Sequence, residues 1–166
     1  FIDGDFKTKL FEVHNVDNYE LENETQIELL KYLDSASDFD IVIIGDFGHG
    51  LMTTSVIDKI QGKARFLAVT VQTNSSNLGF NYFTKYKKAD YLTIDERETR
   101  LCLGDKKQSI DELVKKYDLN KNYKKLVVTM GRKGSKYFSD GIIETMPIVT
   151  SQVVDSVGSG DAFLAI

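Results

Sequence analysis

The sequence predicts an α/β fold, a mostly parallel sheet with crossover helices on both faces. Three observations predict it. Apolar runs at 40–45, 66–71, 91–94 and 125–130 alternate with stretches of helical periodicity. The runs are short and apolar at nearly every position, as strands covered on both faces are. Polar or glycine-rich segments follow their C-terminal ends, where open α/β sheets place ligands.

Composition narrows the function. The chain has 166 residues, enough for one domain with a sizeable core, and its 42% hydrophobic and 28% charged residues are ordinary for a globular protein. A net charge of −4 gives no electrostatic footprint for nucleic acid or for an anionic membrane surface. The basic pairs at 87–88, 106–107, 115–116 and 124–125 are dispersed and read as solvated faces. Cys102 is the single cysteine, which excludes an intrachain disulfide and fits a reducing, cytoplasmic compartment. It reads as a packed thiol. No signal peptide and no apolar run long enough to span a bilayer is present, and there is no repeat or linker. The first residue is Phe and the chain stops inside its own best motif, so a longer parent protein is expected, with the last helix continuing past Ile166.

Residues 1–22 read as strand material at the domain margin, with a turn at Gly4-Asp5 and partial alternation over Lys9–His14. His14 is taken as an exposed strand residue. An amphipathic helix is expected over 24–35, with Ile27, Leu30 and Leu33 inward and Asn23 or Thr25 as cap. The run 40–45 suits a buried parallel strand better than an edge. Asp46-Phe47-Gly48-His49-Gly50 follows it. Thr53 can cap a helix over 54–61 that Gly62 ends. Gln72-Thr73-Asn74 closes the next strand, and Asn77 and Asn81 sit in a loop whose composition turn chemistry explains. After Tyr91–Ile94, Asp95-Glu96-Arg97-Glu98 opens a helix carrying Leu101 and Leu103; an acid at the cap with Glu three residues on is close to a capping box. Ser109 can cap a helix to Tyr117 with Leu113 and Val114 inward. Gly131-Arg132-Lys133-Gly134 follows the last apolar run, and a hairpin turns at Asp140-Gly141.

The chemistry concentrates in the last dozen residues, Asp155 to Ile166. Gly158, Ser159 and Gly160 precede an acid and an apolar run, which suits a turn opening into a helix. Backbone N–H groups at such a turn lack intrahelical partners, and the helix dipole adds positive potential. Together they form an anion hole that small residues let a phosphate enter. Asp161 stands at its mouth, where a carboxylate can take a proton from an attacking hydroxyl.

This stretch resembles the signature of the PfkB, or ribokinase-like, carbohydrate kinase family, and matches it from Asp155 to Ala165. The segment 128–134 resembles the Thr-x-Gly-x-x-Gly stretch of that family, and Asp95-Glu96-Arg97-Glu98 resembles its Asn-x-x-Glu motif with Asp95 in place of Asn. Residues 43–50 and 69–74 look most like the sugar kinase module of bifunctional ADP-heptose synthase, with Phe47 and His49 replacing Tyr and Lys. The resemblance spans 40–166 well and 1–39 loosely. It implies a ribokinase-like partial domain and transfer of the γ-phosphate of ATP to a hydroxyl of a sugar or sugar phosphate, heptose 7-phosphate among the candidates. By the same resemblance Asp161 is the catalytic base, and Gly158, Ser159 and Gly160 form the anion hole. Thr129, Gly131, Gly134 and Asp155 border the nucleotide. Asp46, Gly48 and Asn74 lie on the substrate side, and Glu98 helps hold Mg²⁺. Residues 1–22 correspond to the end of a lid. It further implies a partner nucleotidyltransferase domain in the parent chain and little activity in the isolated segment, whose exposed core edge could pair with a second copy in a homodimer. The alternative is a non-catalytic sugar or nucleotide sensor, or an accessory module, with the same fold.

Overall fold

The structure is a computed structural model that describes residues 21–73, 77–148, 150 and 159–165. The expected strand at 1–22 and His14 therefore lie almost wholly outside the described residues. One six-stranded sheet organises the rest, in the order β1-β2-β3-β4-β5-β6. Strands β1 (Phe39–Asp46), β2 (Ala64–Val71), β3 (Ala89–Asp95) and β4 (Tyr123–Thr129) are parallel. Strands β5 (Ser135–Ser139) and β6 (Ile142–Met146) form an antiparallel hairpin appended to β4. Its turn places Asp140 at φ 46° and Gly141 at φ 80°, the left-handed pair that matches the twist of a two-residue hairpin.

Helices α1 (Asn23–Ser35) and α2 (Thr54–Lys63) pack on each other, and α2 crosses over from β1 to β2. Helices α3 (Glu96–Leu103), α4 (Ile110–Lys116) and the short α5 (Leu119–Asn122) join β3 to β4. Strands that neighbour one another in chain order carry their right-handed crossovers on one face. There Leu67, Val69 and Val71 of β2, Leu92 and Ile94 of β3, and Leu126 and Val128 of β4 build the core with Ile57, Phe83, Tyr86, Leu113 and Tyr123. The alternate positions Ala68, Thr70, Thr93 and Val127 are buried outside this cluster. Helix α6 (Ser159–Ala165) rests against β2 and β3, and Gly160 lies beside Gln72, which continues the alternate set of β2. The two-faced, mostly parallel architecture is thus present.

Local chemistry explains the helix ends. Thr53 Oγ1 accepts the Val56 N–H, and Ser109 and Glu112 form a complete capping box on α4. Gly104, at φ 66°, terminates α3. Three expectations need correction. Helix α1 begins behind Glu22, without a side-chain cap bond, rather than behind Asn23 or Thr25, and its Ile27 is exposed while Leu33 is buried. Helix α2 runs two residues further, through Gly62 to Lys63, whose ammonium reaches the Asp34 and Ala36 carbonyls and so favours the longer helix. Strand β1 is an outer strand among the described residues, not an interior one. Its Val42, Ile44 and Asp46 face inward, whereas Ile41 and Ile43 are 64% and 61% exposed. Among the described residues no helix is long and apolar enough to cross a membrane.

Candidate functional site

The sheet register gathers the polar segments. Asp46 pairs with Val71, Thr70 with Thr93, and Asp95 with Thr129. The loops after β1 to β4 therefore leave one common edge, the C-terminal edge where open parallel sheets bind ligands.

At that edge Asp46 is buried, 3% exposed, and its carboxylate is fully engaged. It accepts the Tyr86 hydroxyl at 2.6 Å and the Gly48 N–H at 2.9 Å, and pairs with the Lys85 ammonium at 2.5 Å. Burial first, and then the Asp46 bond and charge, push the Tyr86 phenol far above its ordinary value. Asn81 donates to the Asp46 carbonyl at 3.1 Å and to the Gln72 carbonyl at 3.0 Å, while Lys85 donates to Asn81 Oδ1 at 2.8 Å. From the sequence Asn81 reads as loop composition, and Lys85 and Tyr86 carry no role. Separations of 35 to 40 residues give no local signal for such a network.

Gly48 adopts φ 72°, and a Cβ there would run into the Asn77 amide and Asn81. The close approach that this glycine permits is thus used by the protein's own asparagines. Beside it Gly50, Thr53, Asn77, Asn81 and Lys85 line an open cavity of about 670 Å³. Asp46 sits behind this cavity as a structural anchor with its oxygens already bonded. Asn74 lies outside the described residues.

Beyond Val71, Gln72 hydrogen-bonds to Asp161 and Thr73 to Glu98. Thr73 gives its N–H at 2.6 Å and its hydroxyl at 3.2 Å to Glu98 Oε1. Glu98 stands in the first turn of α3, where Asp95 Oδ1 caps the N–H groups of Arg97 and Glu98. Asp95 Oδ1 thus caps α3, and the Glu98 carboxylate also accepts from Thr73. Burial raises the Glu98 carboxyl above the usual range, with the Asp95 charge adding to it, against the lowering by the Thr73 and Asp95 backbone bonds and the Thr73 hydroxyl. Gln72 Nε2 donates to Asp161 Oδ1 at 2.7 Å. Asp161 is exposed in the first turn of α6, next to Gly160. Ser159 opens that helix; Gly158 and Asp155 lie outside the described residues.

Thr129 ends β4, paired with Asp95 on one side and Ser135 on the other. Gly131, at φ 55°, opens a single 3-10 turn with no atom within 4 Å of where a Cβ would stand. Gly134, at φ 85°, has the opposite surroundings: a Cβ there would strike the Met146 carbonyl and Pro147. Gly131 thus leaves room for a ligand, and Gly134 lets the hairpin close. Gly131, Met130, Asp95, Arg97, Arg100 and Lys106 line a second cavity of about 670 Å³. Lys133 lies 3.6 Å from Glu96 at the surface. The cysteine is half-buried, its thiol raised by burial against lowering contacts with Thr84.

The model of the pfkB family carbohydrate kinases matches residues 12–165. The bifunctional protein HldE of Campylobacter jejuni is 24% identical over 171 residues, covering 97% of this chain and 36% of that protein. The HldE of Campylobacter curvus is 28% identical over 138 residues, with 81% of this chain and 29% of that protein covered. The chain thus spans about a third of the length of the curated relatives it matches. Among solved structures, the tetrameric inhibited form of phosphofructokinase-2 from Escherichia coli superposes with TM-score 0.67 at 14% identity, covering 87% of this chain and 49% of that one. Arabidopsis thaliana ribokinase complexed with ribose and ATP gives TM-score 0.56 at 18% identity, over 89% and 46%. These structural likenesses establish the fold.

Proposed function

Because this chain belongs to the pfkB family of carbohydrate kinases, we propose that it forms the catalytic half of a kinase that moves the γ-phosphate of ATP to a hydroxyl of a sugar or sugar phosphate. The observation that carries this reading is the meeting of Asp161, through Gln72, with the sheet edge that also presents Glu98 and Thr129.

In this reading Asp161 takes the proton of the acceptor hydroxyl as its oxygen bonds to phosphorus and the bond to the departing ADP breaks. Positioned proton transfer of this kind is worth about 10² to 10⁴ in rate. The N–H groups of Gly158, Ser159 and Gly160 stabilise the charge that develops on the phosphoryl oxygens. Thr129 and Gly131 border the nucleotide, with Arg97 and Lys106 lining the cavity beside them. Gly134 and Asp155 border the nucleotide as well, as the resemblance implies. Asp46 and Gly48 support the substrate side from behind, and Asn74 keeps the substrate-side role that the resemblance implies.

The donor set fits Mg²⁺. No group of three or more acidic, His or Cys side chains that could hold a metal occurs among the described residues. Mg²⁺ does not require one, since it commonly takes one or two carboxylates, several waters and the substrate phosphates. Glu98 offers a half-buried carboxylate at the correct edge. Bound there, the ion would offset charge on the nucleotide phosphates. The acceptor is a sugar or sugar phosphate, and the likeness of residues 43–50 and 69–74 to the kinase module of ADP-heptose synthase makes heptose 7-phosphate a candidate. The description of the HldE relatives as bifunctional supports a second catalytic domain, a nucleotidyltransferase, in the same protein.

The test is ATP consumption by the intact protein with Mg²⁺ across sugars and sugar phosphates, heptose 7-phosphate included. Turnover with one acceptor class is expected. Nucleotide or sugar binding without turnover on any acceptor would replace the kinase by a sensor or accessory module.

A further inference from the structure

We propose that Gln72 is a positioning residue that aims the Asp161 carboxylate. The Gln72 amide donates to Asp161 Oδ1 at 2.7 Å across 89 residues of chain. It thereby joins the end of β2 to the first turn of α6. Asp161 is otherwise exposed, and an exposed carboxylate samples several rotamers. With Oδ1 engaged, Oδ2 is the oxygen that takes the proton.

Three anchors make Gln72 a rigid mount rather than a surface contact. Its N–H donates to the Asp46 carbonyl at 2.9 Å. Its carbonyl accepts from Asn81, whose own amide is oriented by Lys85. Its neighbour Thr73 is fixed to Glu98 by two hydrogen bonds. Asp46 and Asn81 are both buried, so this support is embedded in the fold. A carboxylate held by such a shell stays within the narrow geometric range that proton transfer requires. The buried Asp46–Tyr86–Lys85–Asn81 network acquires a purpose: it holds the strand end that holds the base.

The inference rests on Asp161 being the base, so both are tested in the intact protein with the acceptor that it turns over. Gln72→Leu removes the donor, and the nearly isosteric Gln72→Glu removes it while keeping the size and the backbone bonds. Both are expected to lower kcat by about 10- to 100-fold, with KM for ATP and for the acceptor within about threefold of the parent. Thermal unfolding of both variants should stay close to that of the parent. Unchanged kcat in both variants, or a rise in KM that accounts for the whole loss of kcat/KM, would overturn the positioning role. Asp161→Asn measured alongside separates the two ideas. If it retains full turnover the base assignment fails; if it is inactive while Gln72→Leu turns over normally, only the positioning role fails.

Discussion

Replacing Asp46 tests whether the buried network stabilises the sheet edge as argued. Asp46→Asn keeps the shape and an acceptor for the Gly48 N–H, but it removes the charge that the Tyr86 hydroxyl and the Lys85 ammonium share. One amide oxygen cannot serve all three donors, and the amide NH₂ would face a donor. Breaking a buried ion pair from one side costs about 3–5 kcal/mol. The Lys85 side chain is 31% exposed against 3% for Asp46, so water screens part of the pair and the lower end, about 3 kcal/mol, is expected. Tyr86→Phe, which deletes one charge-assisted bond, should cost about 1.5–3 kcal/mol. Asp46→Asn combined with Lys85→Met should cost less than Asp46→Asn alone, because no ammonium is then left uncompensated. Urea unfolding of the four proteins measures these differences. An Asp46→Asn variant within about 0.5 kcal/mol of the parent, the range of ordinary surface changes, would refute the account of the network.

Three more outcomes follow from particular sites. Burial pushes the Tyr86 phenol up, with the Asp46 bond and charge behind it, and burial followed by the Cys102 charge does the same to Tyr123. The folded chain therefore keeps protons that the unfolded chain loses above the ordinary phenol value of 10.0. The contribution of these two phenols should be constant below pH 10 and fall above it by about 1.4 kcal/mol per pH unit for each, so Tyr86→Phe should remove one such increment from the slope in alkaline urea titrations. Gly134→Ala should destabilise by about 1–3 kcal/mol or more and disturb the β5–β6 hairpin, read by amide exchange there, whereas Gly131→Ala, in open space, should cost only the strain of its positive φ. Ser109→Ala should remove the capping box of α4 and lower stability by about 1 kcal/mol in thermal or urea unfolding.

The sequence carried the architecture well, because strand runs and glycine-rich strand ends are local signals. The parallel order of β1 to β4 follows from apolar runs separated by helical stretches, and the Asp140-Gly141 turn identifies the hairpin. Thr53, Ser109 and Asp95 were legible as caps because a cap and its N–H partners lie within a few residues. The limits have physical causes. Ile41 and Ile43 look like core residues in sequence, since an apolar run does not say whether another layer covers it. Gly62 looks like a helix end, but the Lys63 contacts with two carbonyls outweigh the modest helix propensity penalty of glycine. The Asp46 network and the Gln72–Asp161 bond depend on pairs far apart in the chain, which no periodicity reports. In sequence Gln72 is only a polar residue at a strand end; its partner is set by the packing of α6 on β2 and β3.

The most direct test of the central claim is Asp161→Asn in the intact protein, with phosphoryl transfer and nucleotide binding measured on the same preparation. The account predicts that transfer falls by at least about 10²-fold while the affinity for ATP with Mg²⁺ stays within a few-fold of the parent. Undiminished transfer, or a parallel collapse of nucleotide binding, would contradict the assignment of Asp161 as the base at this sheet edge.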